Sequence, residues 1–375
     1  MALAKKIGVY WLILFLFLSL VFVVQYYERF GLPETSGIQR PLRAVGALPE
    51  TGDPTRTVNP TRRAETTRPP AILNPGSPAG TGGPSPTPKP IIGIGVMGDS
   101  NSDEYRADDN RGTTFSDVTL NWVEQLVLKR GLNFGPWGEW GEPRRSGYKY
   151  NWARSSVSTK TMITSGQHTG LAEQVANGEV SHVILYIGGA DFHLERGTYE
   201  AIYNGSMSDA QVQSKIDKIL ENLTLAVDTV LNAGEVQMVV VKFLDKDLAP
   251  DTLRRFPHPA GRRRVSEAIR KVNAGIDALA EERGIAVADI NEFSLSLLVR
   301  MDQHGNLNVG GELINILERG NDPHHLQLKD RSGHMGTVLS GLLANAILVE
   351  PFNREFGLNI KPLSDLEILE NAGLR

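Results

Sequence analysis

One serine and one late histidine in this chain stand where an acyl-transfer site could be built. Ser100 lies in Gly98-Asp99-Ser100-Asn101-Ser102-Asp103, directly after the apolar run at residues 91–97. A glycine permits a tight exit from a strand. A serine at the strand-to-helix junction that follows offers its hydroxyl to a cleft, with backbone N–H groups close by for an oxyanion. The same composition also suits a turn whose Ser, Asn and Asp side chains cap the next helix. A nucleophilic serine needs a base, and the base needs a group that orients it. Of the eight histidines, those of the C-terminal segment are the best placed: Asp322-Pro323-His324-His325, then Asp330-Arg331-Ser332-Gly333-His334, just ahead of a helical stretch. There His334, presented just before a helix with Asp330 four residues upstream, is a plausible base and orienter. The segment also reads as a polar surface loop, or as a metal site drawn from Asp322, His324, His325 and His334, although no recognised ligand spacing is present. With no cysteine in the chain, disulfides, zinc thiolates and a cysteine nucleophile are excluded.

The elements that must position these residues follow from the pattern after residue 90. Strands are expected at residues 91–97, 182–187, 236–243 and 285–290. Helices are expected at residues 114–130, within 208–232, at 262–283, and last at about 336–356. Apolar strands separated by helices imply a parallel sheet covered on both faces. In such sheets the site lies beyond the carboxyl ends of the strands, which is where Ser100 falls. Residues 134–149, with Trp137, Trp140 and Tyr148, and residues 300–321, with Gly305, Gly310 and Gly311, are expected as turns or hairpins and as candidate pocket walls.

Together these segments resemble the SGNH (GDSL) hydrolase family over most of residues 91–375. Gly98-Asp99-Ser100 resembles the first block, whose serine is the nucleophile and donates its backbone N–H to the oxyanion. Asn151-Trp152-Ala153-Arg154-Ser155-Ser156 resembles the second, and Ile187-Gly188-Gly189-Ala190-Asp191-Phe192 the third. His334-Met335-Gly336-Thr337 resembles the last block, which brings histidine and aspartate to the triad. The resemblance implies a flavodoxin-like three-layer α/β/α sandwich with a mostly parallel sheet, a serine esterase without metal or organic cofactor, and oxyanion donors at positions 156 and 190. Three departures accompany it. Ser156 stands where the family has glycine, and Ala190 where it has an asparagine side-chain donor. Losing one such donor costs about 10²–10³ in turnover, and Asn151 is a candidate replacement. The family's Asp-x-x-His is lengthened by one residue between Asp330 and His334, whereas Asp322 and His325 keep that spacing without a following helix.

Ahead of this domain the composition changes. Residues 7–24 carry no charge over 18 positions and follow Lys5 and Lys6. A helix of that length spans about 27 Å, close to a bilayer core, and the flanking lysines favour a cytoplasmic N-terminus. No small-residue cleavage site follows the apolar run. Residues 31–90, rich in Pro, Thr, Gly and Arg, read as a disordered tether. The expected organisation is an anchor at 1–30, a linker at 31–90 and the hydrolase-like domain at 91–375, held on the extracytoplasmic side. A net charge of −4 gives no reason to expect nucleic acid. The expected partners are the membrane, through the N-terminal helix, and a small-molecule or polysaccharide ester.

Overall fold

The computed structural model describes residues 88–107 and 111–375. The apolar segment 7–24 and the linker through residue 87 lie outside the described residues, and among the described residues no helix is long and apolar enough to cross a membrane. The elements are β1 (Ile94–Gly98), α1 (Trp122–Arg130), β2 (Trp137–Glu139), β3 (Ser146–Tyr148), α2 (Thr159–Thr164), α3 (Gln167–Ala176), β4 (His182–Tyr186), α4 (Thr198–Tyr203) and α5 (Asp209–Leu231). Then come β5 (Gln237–Val241), α6 (Pro250–Arg255), α7 (Pro259–Arg283), β6 (Ala286–Ala288), α8 (Ile290–Val299), β7 (Asn306–Val309), β8 (Glu312–Arg319), β9 (His325–Gln327), α9 (Thr337–Ala344), α10 (Glu350–Phe356) and α11 (Asp365–Asn371).

The four apolar runs expected as strands pair in parallel in the order β1-β4-β5-β6, with Val96 opposite Ile184 and Ile184 opposite Val239. Their side chains alternate between two cores, as the period of a strand requires. Val96, Ile184, Tyr186, Val239 and Val241 face one core with Trp122 and Leu126 of α1, Val338 of α9 and Phe352 of α10. Met97, Val183, Leu185, Met238 and Val240 face the other, with Leu171 of α3, Leu223 of α5 and Val272 of α7. Helices therefore cover both faces of an α/β sheet. Each fully buried Val, Leu or Ile contributes about 1.5–3 kcal/mol, so this two-sided burial dominates the stability of the sheet. On the free side of β1 the chain makes one parallel bridge, Val96 to Asn151, in which Val96 N–H donates to Tyr150 O at 3.0 Å and Trp152 N–H to Val96 O at 2.8 Å.

Three expected elements are corrected. The helix at 114–130 splits into a 3₁₀ turn at Thr113–Val118 and α1. Between them Leu120 N–H donates to Thr337 Oγ1 at 3.0 Å, and Asn121 and Glu124 form a capping box that starts α1 afresh. The strand at 285–290 keeps only three residues, because Asp289 caps the N-terminus of α8 and Ile290 opens that helix. The helix at 336–356 is interrupted by a π turn at Asn345–Val349, where the Asn345 amide bonds both the N–H and the C=O of Leu363 at 2.8 Å. It is not the last helix, since α11 follows. Segment 300–321 forms a hairpin, β7–β8, turned by Gly310 and Gly311, both with positive φ as a two-residue hairpin of this twist needs.

Candidate active site

The residues of the three expected blocks and of the C-terminal segment gather at the carboxyl ends of β1 and β4. β1 ends at Gly98, where a side chain would meet the Tyr186 carbonyl at 2.5 Å. The buried Gln167 amide bonds both backbone groups of Gly98, accepting at 3.0 Å and donating at 3.1 Å. Asp99 then acts as the hub of the turn. Its Oδ1 accepts from Asn101 N–H at 3.0 Å and from Asn101 Nδ2 at 2.9 Å, and its Oδ2 accepts from Gly189 N–H at 2.9 Å. Burial raises the Asp99 carboxyl, against those N–H donors and the charges of Lys246 and His334. Ser100 is half-buried at the tip of this turn, and its carbonyl accepts from Arg111 Nη1 at 3.2 Å.

His334 and Asp330 are brought together. His334 Nδ1 lies 2.5 Å from Asp330 Oδ2, while Asp330 Oδ1 accepts from Gly333 N–H at 2.6 Å and His334 N–H at 3.2 Å. Burial works to raise the Asp330 carboxyl, but hydrogen bonds from the His334 ring and from those backbone groups outweigh it and hold the group below the ordinary carboxylate value. The extra residue in this segment is absorbed by Gly333, whose φ of 64° is left-handed. The segment is fixed from outside by Arg319, which donates to Asp330 O at 3.2 Å and pairs with Asp251. It is fixed towards Ser100 by Tyr105, whose hydroxyl donates to Met335 O at 3.0 Å. A Cβ on Gly333 would meet the Arg319 guanidinium at 2.4 Å. Gly333→Ala is thus expected to destabilise the protein by about 1–2 kcal/mol from left-handed strain, as thermal melting would show.

The competing pair sits differently. His325 lies on β9, its ring against Gly320. Its Nδ1 is 2.8 Å from Asp322 Oδ2, an ion-pair distance without the alignment of a hydrogen bond. Among the described residues no group of three or more His, Asp or Glu is placed to hold a metal ion.

Ser156 occupies a left-handed φ of 73°, the conformation for which glycine is suited. Asp103 holds the chain just before it: its Oδ1 accepts from Arg154 Nη1 at 2.8 Å and its Oδ2 from Ser155 N–H at 2.7 Å. The Ser156 carbonyl accepts from Arg196 at 3.1 Å. Ala190 sits in the turn closed by Asp191 N–H to Gly188 O at 3.1 Å, and its methyl offers no donor. Asp191 ties this turn to α2, accepting from Thr159 N–H and Oγ1, both at 2.9 Å. Asn151 is a buried brace between two loops, its Nδ2 donating to Ser102 O at 2.7 Å and its Oδ1 accepting from Ala153 N–H at 3.0 Å. Asp99, Asp103 and Arg319 were not singled out from sequence. Only Asp99 carried a signal there, as the middle residue of the first block.

Segment 134–149 forms the β2–β3 hairpin, whose tip residues Pro143 and Arg145 line a cleft with Asp103, Arg154, Ser155, Val157 and Ser165. The cleft flanks the loop of Ser156; Ser100 and His334 do not line it. Trp140 is packing, its Nε1 bonded to Gly147 O at 2.9 Å and its ring beside Arg144, whereas Trp137 is exposed. Residues of 300–321 do not line this cleft.

Two carboxyls further along the chain, Glu104 and Glu124, are buried. Burial pushes Glu104 up to about 8 and Glu124 up to about 7, even though Glu124 accepts the N–H groups of Asn121, Tyr105 and Arg106. A carboxyl raised in this way keeps its proton in the folded state where the unfolded chain has lost it. Its contribution is therefore full below about 4.5 and falls as pH rises towards about 8. Melting temperature is expected to drop by several degrees between pH 5 and 8, and Glu104→Gln to flatten that slope in a pH series of thermal melts.

No protein-family model matches the chain, and no curated protein does. Among solved structures it is similar to a lipase/acylhydrolase from Enterococcus faecalis, at 15% identity and TM-score 0.36, over 72% of this chain and 98% of that one. It is also similar to an acetylxylan esterase from Geobacillus stearothermophilus, at 15% identity and TM-score 0.39, over 72% and 97%. An extracellular lipase from Streptomyces rimosus aligns at 16% identity and TM-score 0.38, over 70% and 98%.

Proposed function

We propose that the chain is a serine esterase of the SGNH type, with Ser100 as nucleophile, His334 as general base and Asp330 as the group that orients the imidazole. The observation that carries this reading is the Asp330–His334 pair. One carboxylate oxygen accepts the Nδ1–H while the other is locked by two backbone N–H groups, so Nε2 is left as the basic nitrogen. The strand order, with the Asn151 bridge as its edge, matches the 2-1-3-4-5 order of flavodoxin-like folds and agrees with this reading.

In the mechanism, His334 Nε2 takes the hydroxyl proton as Ser100 Oγ attacks the ester carbonyl. The carbonyl oxygen becomes an oxyanion, met by the backbone N–H groups of Ser100 and Ser156. The imidazolium then gives its proton to the leaving alkoxide, and water, activated by the same histidine, releases the acid. The substrate is a carboxylic ester of a carbohydrate or lipid, and the apolar segment 7–24 tethers the domain on the extracytoplasmic side of a membrane. Hydrolysis of p-nitrophenyl acetate and longer acyl esters by the full chain tests the reading. Turnover above buffer supports it, and release of acid rather than acyl transfer to an added sugar separates a hydrolase from an O-acyltransferase. A folded protein with no turnover would favour the second reading, a binding protein that has lost catalysis, which the missing donor at Ala190 supports.

A further inference from the structure

The oxyanion site lacks the side-chain donor that position 190 would supply, and we propose that Asn101, the residue after the nucleophile, supplies it instead. The inference rests on the reading of Ser100 as nucleophile. Asn101 Nδ2 donates to Asp99 Oδ1 at 2.9 Å. Asp99 also accepts from Asn101 and Gly189 backbone N–H groups, so it serves here as an acceptor and the NH₂ end of the amide must face it. A primary amide carries two N–H bonds. One is used by Asp99, and the other has no acceptor among the described residues.

The position of that amide is the second observation. Nδ2 lies 3.4 Å from where a Cβ on Gly189 would stand, and Asp99 Oδ2 lies 3.0 Å from the same point. The amide therefore rests against the turn that carries Ala190, one residue after Ser100 in the chain, and the absence of a side chain at Gly189 makes the room for it. Asp99 holds both ends of the arrangement, the Asn101 amide through one oxygen and the turn through the other. As Ser100 Oγ bonds to the ester carbon and its proton passes to His334, the free Asn101 N–H donates to the oxygen that gains the charge. No bond to Asn101 is made or broken.

Steady-state kinetics of the full chain on p-nitrophenyl acetate test this with three variants. Asn101→Ala is expected to lower kcat about 10²–10³-fold with KM changed less than about threefold, because the donor acts on the oxyanion and not on the bound ester. Adding Ala190→Asn to Asn101→Ala is expected to recover at least about tenfold of that loss. The same Ala190→Asn change is expected to help the parent far less than it helps Asn101→Ala. A role confined to bracing Asp99 would produce no such rescue. The inference is overturned if Asn101→Ala keeps kcat within about threefold of the parent, or if Ala190→Asn fails to restore it. It is also overturned if Ala190→Asn raises the parent's kcat about 10²-fold, and this last arm stands even if Asn101→Ala does not fold. Turnover in the parent with any of these results would refute Asn101 alone, whereas a folded parent without turnover would refute the esterase reading and the inference together.

Discussion

Ser100→Ala and His334→Ala should each lower esterase kcat by about 10⁵–10⁶, and the double variant should be no slower than either alone. In the proposed mechanism the two side chains act as one unit: without the imidazole the hydroxyl is not activated, and without the hydroxyl the imidazole has nothing to deprotonate. What survives is the contribution of the oxyanion donors and of binding, about 10³–10⁴ over water. Neither side chain belongs to the hydrophobic cores, with Ser100 half-buried and His334 mostly covered, so truncation should leave the fold and its melting temperature nearly unchanged. His325→Ala is the matched comparison, because His325 lies on β9 with its ring against Gly320. Loss of turnover in that variant, with His334→Ala active, would move the base to the Asp322 pair.

Asp330→Asn is expected to lower kcat by about 10⁴ with little change in KM. The carboxylate does two tasks: Oδ1 accepts from two backbone N–H groups and Oδ2 accepts from Nδ1. An asparagine can present only one oxygen. If that oxygen stays with the backbone, its NH₂ faces Nδ1, and the ring must carry its proton on Nε2, the nitrogen that should take the proton from Ser100. The loss therefore arises from the wrong tautomer, and thermal melting should separate it from unfolding.

The layers were legible in the sequence because buried parallel strands are short apolar runs: β4 and β5 fall inside expected strands, β1 overlaps its expected strand and ends one residue beyond it, at Gly98, and alternate residues along them feed two cores. Helix ends set by local chemistry were legible too, as at α5, which runs Asp209–Leu231 between a Ser208 cap and Asn232. What could not be read was any element ended by a distant partner. The break before α1 depends on Thr337 accepting from Leu120, and the π turn on the Asn345 amide reaching Leu363. The site divides along the same line. Ser100 and His334 stood out as candidates because their segments have local signatures. The lengthened Asp330–His334 spacing looked like a defect until Gly333 was seen in a left-handed conformation with Arg319 packed on it. Asn151 read as a free donor, whereas the fold buries its amide between Ser102 and Ala153, and Asn101 looked like a turn residue because Gly189, against which its amide rests, is distant in the chain.

The central claim, that Ser100 is an activated nucleophile, is tested most directly by treating the full chain with a fluorophosphonate and mapping the adduct by peptide mass spectrometry. A single adduct on Ser100, formed rapidly in the parent and at least about 10³-fold more slowly in His334→Ala, is the predicted result. Labelling that is absent, that falls on another residue, or that proceeds equally fast without His334 would contradict it.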